Sequence, residues 1–167
     1  QVTHRVTCLN DPDLPGVPFH FLRVDVAGNI SKRFSLSGIE IPRYGGACPR
    51  WNVYSAFSRP NIIQVAVSKM TNGEKYVCIA RTVEKGVGKF GEPKGMLSIG
   101  LGCEAKYAKD FVYTENIDVN DKKTETPIGV SCRTCDRLDC AQRAFPPLHK
   151  KFDVDINNRG VSVYVNE

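Results

Sequence analysis

Two β-branched runs flank one tight turn near the middle of the chain. Residues 62–70 and 75–83 are rich in valine, isoleucine and alternating polar side chains, and Thr71-Asn72-Gly73-Glu74 lies between them. Asn-Gly supplies the positive φ angles that a two-residue hairpin turn demands, so this stretch commits the chain to antiparallel β-structure. Cys78 falls in the middle of the second run and is expected as a small core side chain. Two further extended runs, residues 19–26 and 30–35, surround Ala27-Gly28-Asn29 and predict a second hairpin, with His20 on a strand face rather than serving as a ligand. Residues 96–101 predict a fifth strand, which ends at Gly102-Cys103-Glu104.

Helical signal is short and local. After Gly45-Gly46 and Pro49, the aromatic residues Trp51, Tyr54 and Phe57 recur every three positions and predict a short helix over 51–57 with its stripe on the core. Ala105, Tyr107, Ala108, Phe111 and Val112 predict an amphipathic helix to about Tyr113, which places Cys103 where a strand turns into a helix. Residues 1–16 carry weak helical signal up to about Cys8 and then turn chemistry. Residues 84–95 form a glycine-rich surface loop whose composition also suits a lid. Residues 114–126 read as a polar linker, and residues 160–165 as a last short extended run. The expected fold class is α+β: an antiparallel sheet with helices on one face, followed by a cysteine-rich C-terminal metal-binding segment. The order of elements resembles the small-molecule sensor domains of the PAS and GAF type. The expected divisions are a linker over 1–18, a sensor domain over 19–126 and the cysteine segment over 127–167.

A chain of 167 residues suits one domain that needs no disulfide staples. With 41% hydrophobic and 25% charged residues it is neither a disordered chain nor a membrane span, and no apolar run approaches the roughly 18 residues a bilayer requires. The first residues lack the layout of a signal peptide and do not begin with Met, so the expectation is a piece of a longer cytoplasmic protein. A net charge of +5 is small for a nucleic-acid module of this size and fits a small anionic ligand. Arg43 and Arg50 flank the predicted helix start, where unpaired N–H groups would add to an anion site.

Seven cysteines, an odd number, point to reduced thiols rather than a disulfide framework. Cys132, Cys135 and Cys140 are spaced C-x2-C-x4-C among charged neighbours, which is metal-ligand spacing rather than core packing. A structural zinc would take these three and a fourth Cys or His149; an iron-sulfur cluster would take four thiolates, and spacing does not separate the two. Cys103 and Cys48 both fall at predicted helix starts, and Cys103 is the expected fourth ligand. Arg133, Arg137 and Arg143 are expected to offset the thiolate charge and to donate N–H groups to sulfur.

Several long stretches together resemble a known family. They are Arg23-Val24-Asp25 with residues 27–33, Pro42-Arg43-Tyr44-Gly45-Gly46-Ala47-Cys48-Pro49-Arg50-Trp51-Asn52-Val53, Ala80-Arg81-Thr82-Val83, Leu101-Gly102-Cys103-Glu104 and the cysteine motif through Pro147. Across nearly its whole length the chain resembles the C-terminal region of the short-chain fatty acyl transcriptional regulators, which include actinobacterial regulators of propionate, methylcitrate and acetate metabolism. Ala141 departs from the family pattern, in which a larger or polar residue is common, and bears on how exposed a cluster would be. The resemblance implies a cytoplasmic, non-enzymatic sensor of short-chain acyl-coenzyme A. It would be joined to an N-terminal helix-turn-helix that binds operator DNA, would have no membrane association and would form a homo-oligomer. It also implies a 4Fe-4S cluster on Cys132, Cys135 and Cys140, with zinc as the alternative; the fourth ligand is not part of the resemblance, and Cys103 is the expected one with Cys48 as the alternative. For the coenzyme A phosphates the nominated cations are Lys32, Arg33, Arg43 and Arg50, with Trp51 as a wall for the adenine or the acyl chain. Two competing readings are a zinc-braced protein- or nucleic-acid-interaction module and a coenzyme A-dependent enzyme. The enzyme reading would use Cys48 as nucleophile with His4, His20 or His149 as base.

Overall fold

The computed structural model describes residues 1–9, 11–86, 90–91, 95–149 and 156–157. Six strands form one sheet in the order β2-β1-β5-β4-β3-β6. β1 (His20–Asp25) and β2 (Ile30–Ser35) make the first hairpin, with Gly28 at φ 86° in its turn. β3 (Gln64–Lys69) and β4 (Lys75–Lys85) make the second, closed by Met70 N–H on the Glu74 carbonyl and by Gly73 at φ 91°. Positive φ at both glycines is the reason these turns form where the sequence predicts them. β5 (Gly95–Glu104) pairs antiparallel with both β1 and β4, and so brings the two hairpins into one sheet.

Alternation along β4 separates two apolar layers. Tyr76, Cys78 and Ala80 face a core that includes Leu22, Val24, Trp51, Val53 and Ile128, whereas Val77 faces Leu101, Ala108 and Phe111. Helical elements are few, and they lie on both faces. α1 (Val2–Val6) sets His4 edge-on to Phe21, and α2 (Asn52–Ser55) continues as a 3₁₀ turn, Ala56–Ser58, over the first layer. Residues Ala105–Asp110 and Val112–Thr114 are 3₁₀ turns over the second.

Three sequence expectations change here. Helices are not confined to one face. The sheet is mixed rather than antiparallel, because β6 (Glu125–Pro127) pairs parallel to β3 across the expected 126/127 boundary. The predicted helix after β5 is 3₁₀, since β5 runs on to Glu104 and Phe111 is extended at φ −114° and ψ 100°. The aromatic stripe packs on the core as expected, with Trp51 buried in it and Tyr54 and Phe57 half-buried against it. The expected lid falls partly, and the extended run over 160–165 entirely, outside the described residues. Among the described residues no helix is long and apolar enough to cross a membrane.

Candidate ligand pocket and cysteine site

Two glycines of β5 shape the first apolar face. A Cβ on Gly100 would sit 2.5 Å from Val53 Cγ1, and one on Gly102 would sit 2.4 Å from His20 Nε2 and 2.7 Å from Cys78 Sγ. Glycine at both positions lets α2 and the His20 imidazole lie directly on the sheet. Between α2, the sheet and Ile128 remains a cavity of about 20 Å3, whose walls include Leu22, Ile39, Trp51, Val53 and Ile128.

The polar groups lining this cavity bond to one another. His20 Nδ1 is 2.8 Å from Ser37 Oγ, and its Nε2 is 3.4 Å from Cys78 Sγ. Asn52 Nδ2 donates to the Cys78 carbonyl at 3.1 Å, and the Ser68 hydroxyl is hydrogen-bonded with the Cys78 thiol. Burial holds the His20 pKa down at about 3 and pushes the Cys78 thiol up to about 12, so both are neutral at physiological pH. His20 is therefore a buried strand residue, as its position in the sequence implies.

Above the cavity runs the loop between β2 and α2. Ile39 reaches down into the core, while Arg43 is exposed and Arg50 half-buried. Lys32 and Arg33 are exposed on the edge strand β2, and Arg33 Nη1 donates to the Pro42 carbonyl at 2.6 Å, tying that strand to the loop. Among the described residues none of these four cations is ion-paired. The expected helix-start N–H groups are taken: Arg50 N–H is directed at the Cys48 sulfur, and Trp51 N–H donates to the Cys48 carbonyl at 3.0 Å. Trp51 is buried, with its indole Nε1 donating to the Gly129 carbonyl at 2.8 Å, so it walls the interior cavity and is not open to an adenine ring.

The cysteines divide into two groups. Cys103 is fully buried within β5, paired with Val77, and burial pushes its thiol up to about 11. It does lie at the end of the strand, which stops at Glu104 and gives way to the 3₁₀ turn Ala105–Asp110, but the thiol is buried there rather than exposed. Cys48 instead lies beside Cys132 and Cys135: burial pushes its thiol up, the Gly129 and Arg50 N–H groups directed at sulfur pull it down, and the two neighbouring thiols push it up. Cys48 N–H also donates to the Val130 carbonyl at 3.0 Å, and a Cβ on Gly129 would lie 3.0 Å from Cys135 Sγ. Cys140 is half-buried in the same loop. Among the described residues no three Cys, His, Asp or Glu side chains converge as the ligands of a single ion. His149, the other zinc candidate, is 2.7 Å from Asp136 at the surface.

The arginines hold backbone, not sulfur. Arg143, 5% exposed, donates to the carbonyls of Cys132 at 2.8 Å, Cys135 at 3.0 Å, Phe145 at 3.2 Å and also Arg137. Arg137 reaches the Ile128 carbonyl and, at 3.4 Å each, those of Lys69 and Met70. Arg133 lies over the Phe145 ring, 4.6 Å from its centroid. The sulfur of Cys132 receives a backbone donor, Ala144 N–H at 3.4 Å.

Residues 8–164 match the family described as short-chain fatty acyl coenzyme A regulator, C-terminal. The chain is 45% identical over 98% of its length to the HTH-type transcriptional regulator RamB of Mycobacterium tuberculosis, covering 35% of that protein. It is 44% identical to the propionyl-CoA carboxylase regulator of Cereibacter sphaeroides, over 98% of this chain and 35% of the relative. A solved structure of a Mycobacterium tuberculosis transcriptional regulator matches with a TM-score of 0.87 and 40% identity, over 96% of this chain and 49% of that one. The chain thus spans about a third of the length of the curated relatives it matches.

Proposed function

Because the chain belongs to the short-chain fatty acyl coenzyme A regulators and matches their C-terminal region, we propose that it is the ligand-sensing part of a bacterial transcriptional regulator of propionate or acetate metabolism. Its effector is a short-chain acyl-coenzyme A. The observation that carries this reading is the layout of the loop between β2 and α2, with an exposed Arg43 and a half-buried Arg50, neither ion-paired among the described residues, and a buried apolar cavity beneath. Arg33, opposite Leu22 on the cavity face of β2 and bonded to the Pro42 carbonyl, extends this basic rim, whereas Lys32, opposite Arg23, projects from the other face of the sheet. Cations of this kind suit the phosphates of coenzyme A, and an apolar interior suits an acyl chain.

The cysteine segment is the second part of the proposal. Cys48, Cys132, Cys135 and Cys140 are the ligand set, Cys48 taking the place expected for Cys103. A 4Fe-4S cluster takes four thiolates, and a zinc held by the same four cysteines is the alternative. Backbone N–H groups directed at the sulfurs of Cys48 and Cys132 fit thiolate ligation. When bound, such a cluster supplies a one-electron redox centre and a covalent tie between the loop and the tail. Within the chain, Arg143 and Arg137 hold the loop carbonyls so that the thiols stay on the sensor sheet.

A regulator of this kind works in the cytoplasm as a homo-oligomer, reading operator DNA through a helix-turn-helix outside this chain. Catalysis by Cys48 is disfavoured: burial pushes its thiol up, and His20 is committed to Ser37 and Cys78. Calorimetric titration with free, acetyl- and propionyl-coenzyme A tests the sensor reading. Micromolar binding that weakens with added salt and with Arg50→Gln is expected. No heat from any of the three at high micromolar concentration contradicts it.

A further inference from the structure

The cavity under α2 differs from an ordinary packing defect in the chemistry of its walls. Every polar side chain that lines it already has a partner: His20 with Ser37 and Cys78, Asn52 with the Cys78 carbonyl, Ser68 with Cys78, and Trp51 with the Gly129 carbonyl. The remaining wall is apolar, from Leu22, Ile39, Val53 and Ile128. Such a space offers nothing to a carboxylate, an amine or an ordered water, which needs two to four polar partners. It offers dispersion contacts to a hydrocarbon. Its free volume of about 20 Å3 is little more than the roughly 10–15 Å3 that one water-sized probe occupies. One or two carbon atoms fit.

We propose that this cavity is the chain-length gauge of the sensor: it seats the terminal one or two carbons of the effector's acyl group, with Val53 and Ile128 as the residues that set the limit. The inference rests on the acyl-coenzyme A reading above and adds which part of the ligand is measured and by what. Val53 is fixed from below, because Gly100 lies directly against its Cγ1. Ile128 is fixed from its own backbone: its N–H donates to the Lys69 carbonyl at 2.9 Å and its carbonyl accepts from Arg137. Both walls are therefore held by the sheet, and the gauge cannot widen without moving the β3 end or α2. His20 stays uncharged down to a pH of about 3, so the floor carries no charge across the range in which a cell operates.

Two opposite substitutions test it. Ile128→Val removes one methyl group from the wall and Val53→Ile adds one, and both keep the volume change to a single carbon so that folding survives. The wild-type chain and each variant are titrated calorimetrically with free, acetyl-, propionyl- and butyryl-coenzyme A. Burial of one methylene changes affinity about fourfold. Ile128→Val is expected to raise the butyryl-to-propionyl affinity ratio about fourfold, and Val53→Ile to lower the propionyl-to-acetyl ratio by a similar factor, with free coenzyme A unchanged in both. If the thioesters bind both variants with the wild-type ratios, the gauge is wrong while the sensor reading stands. If the wild-type chain binds none of the four, the sensor reading fails and the gauge with it. A melting curve for each variant establishes that the folded population is being compared, and two variants of opposite sign keep the test decisive if one of them is unstable.

Discussion

The indole Nε1 of Trp51 donates a hydrogen bond to the carbonyl of Gly129, 2.8 Å away and 78 positions later in the chain. Trp51 walls the cavity, and Gly129 lies against the sulfur of Cys135. This buried hydrogen bond, together with the Ile128 side chain in the cavity wall, joins the apolar pocket to the cysteine segment. Trp51→Phe leaves the Gly129 carbonyl buried without that donor, at a cost of about 1–3 kcal/mol. Urea denaturation should show this loss, and an unchanged midpoint would mean that the junction contributes no stability.

Arg143 should matter more than its place in a surface-looking motif implies. Its guanidinium serves several backbone carbonyls at once, and hydrogen bonds from a charged donor are worth roughly 1.5–3 kcal/mol each. Arg143→Lys cannot reproduce the planar fork. Hydrogen exchange over residues 132–148 is expected to accelerate at least tenfold in the lysine variant, and exchange at the wild-type rate would show the fork to be dispensable.

Stability should have a plateau between the ordinary titrations of histidine and cysteine. The folded-state pKa of His20 lies near 3, below its ordinary 6.5, so the unfolded chain binds the extra proton and stability falls as pH drops from about 6.5 towards 3. The limiting slope is about 1.4 kcal/mol per pH unit. On the alkaline side the Cys78 thiol, pushed up from 9 to about 12, makes stability fall as pH rises above 9. Chemical denaturation at a series of pH values tests both limbs; His20→Gln should flatten the acid limb only, and an acid limb unchanged by that variant would assign it to other groups.

Overpacking at β5 supplies a further test. Gly102→Ala forces a Cβ into His20 and Cys78, and should cost about 1–3 kcal/mol by the same denaturation measurement. A neutral result would mean that the imidazole moves aside at no cost.

These glycines also explain where sequence and structure part. Gly102 reads as the end of a strand, and that reading put Cys103 at an exposed turn; in the fold Gly100 and Gly102 are the places where Val53 and His20 lie on a strand that runs to Glu104, with Cys103 buried in it. The hairpins were legible because Gly73 and Gly28 take the positive φ angles their turns need. The parallel strand Glu125–Pro127 was not, since three polar or proline residues carry no periodicity. Cys48 was visible as a candidate but not as the neighbour of Cys132 and Cys135. That relation depends on residues 128–130 crossing under Trp51, and no local pattern reports such a long-range contact. Likewise the cations Lys32, Arg33, Arg43 and Arg50 could be nominated from sequence, whereas the cavity exists only once Ile39, Val53 and Ile128 meet.

Iron and acid-labile sulfide analysis of anaerobically purified protein, with its optical spectrum, tests most directly the claim that the cysteine segment closes on the sensor sheet through Cys48. About four irons per chain and broad absorption near 400 nm are expected, lost in Cys48→Ser and retained in Cys103→Ser. A full complement of iron in Cys48→Ser, or a colourless wild-type protein carrying one zinc, would contradict the account.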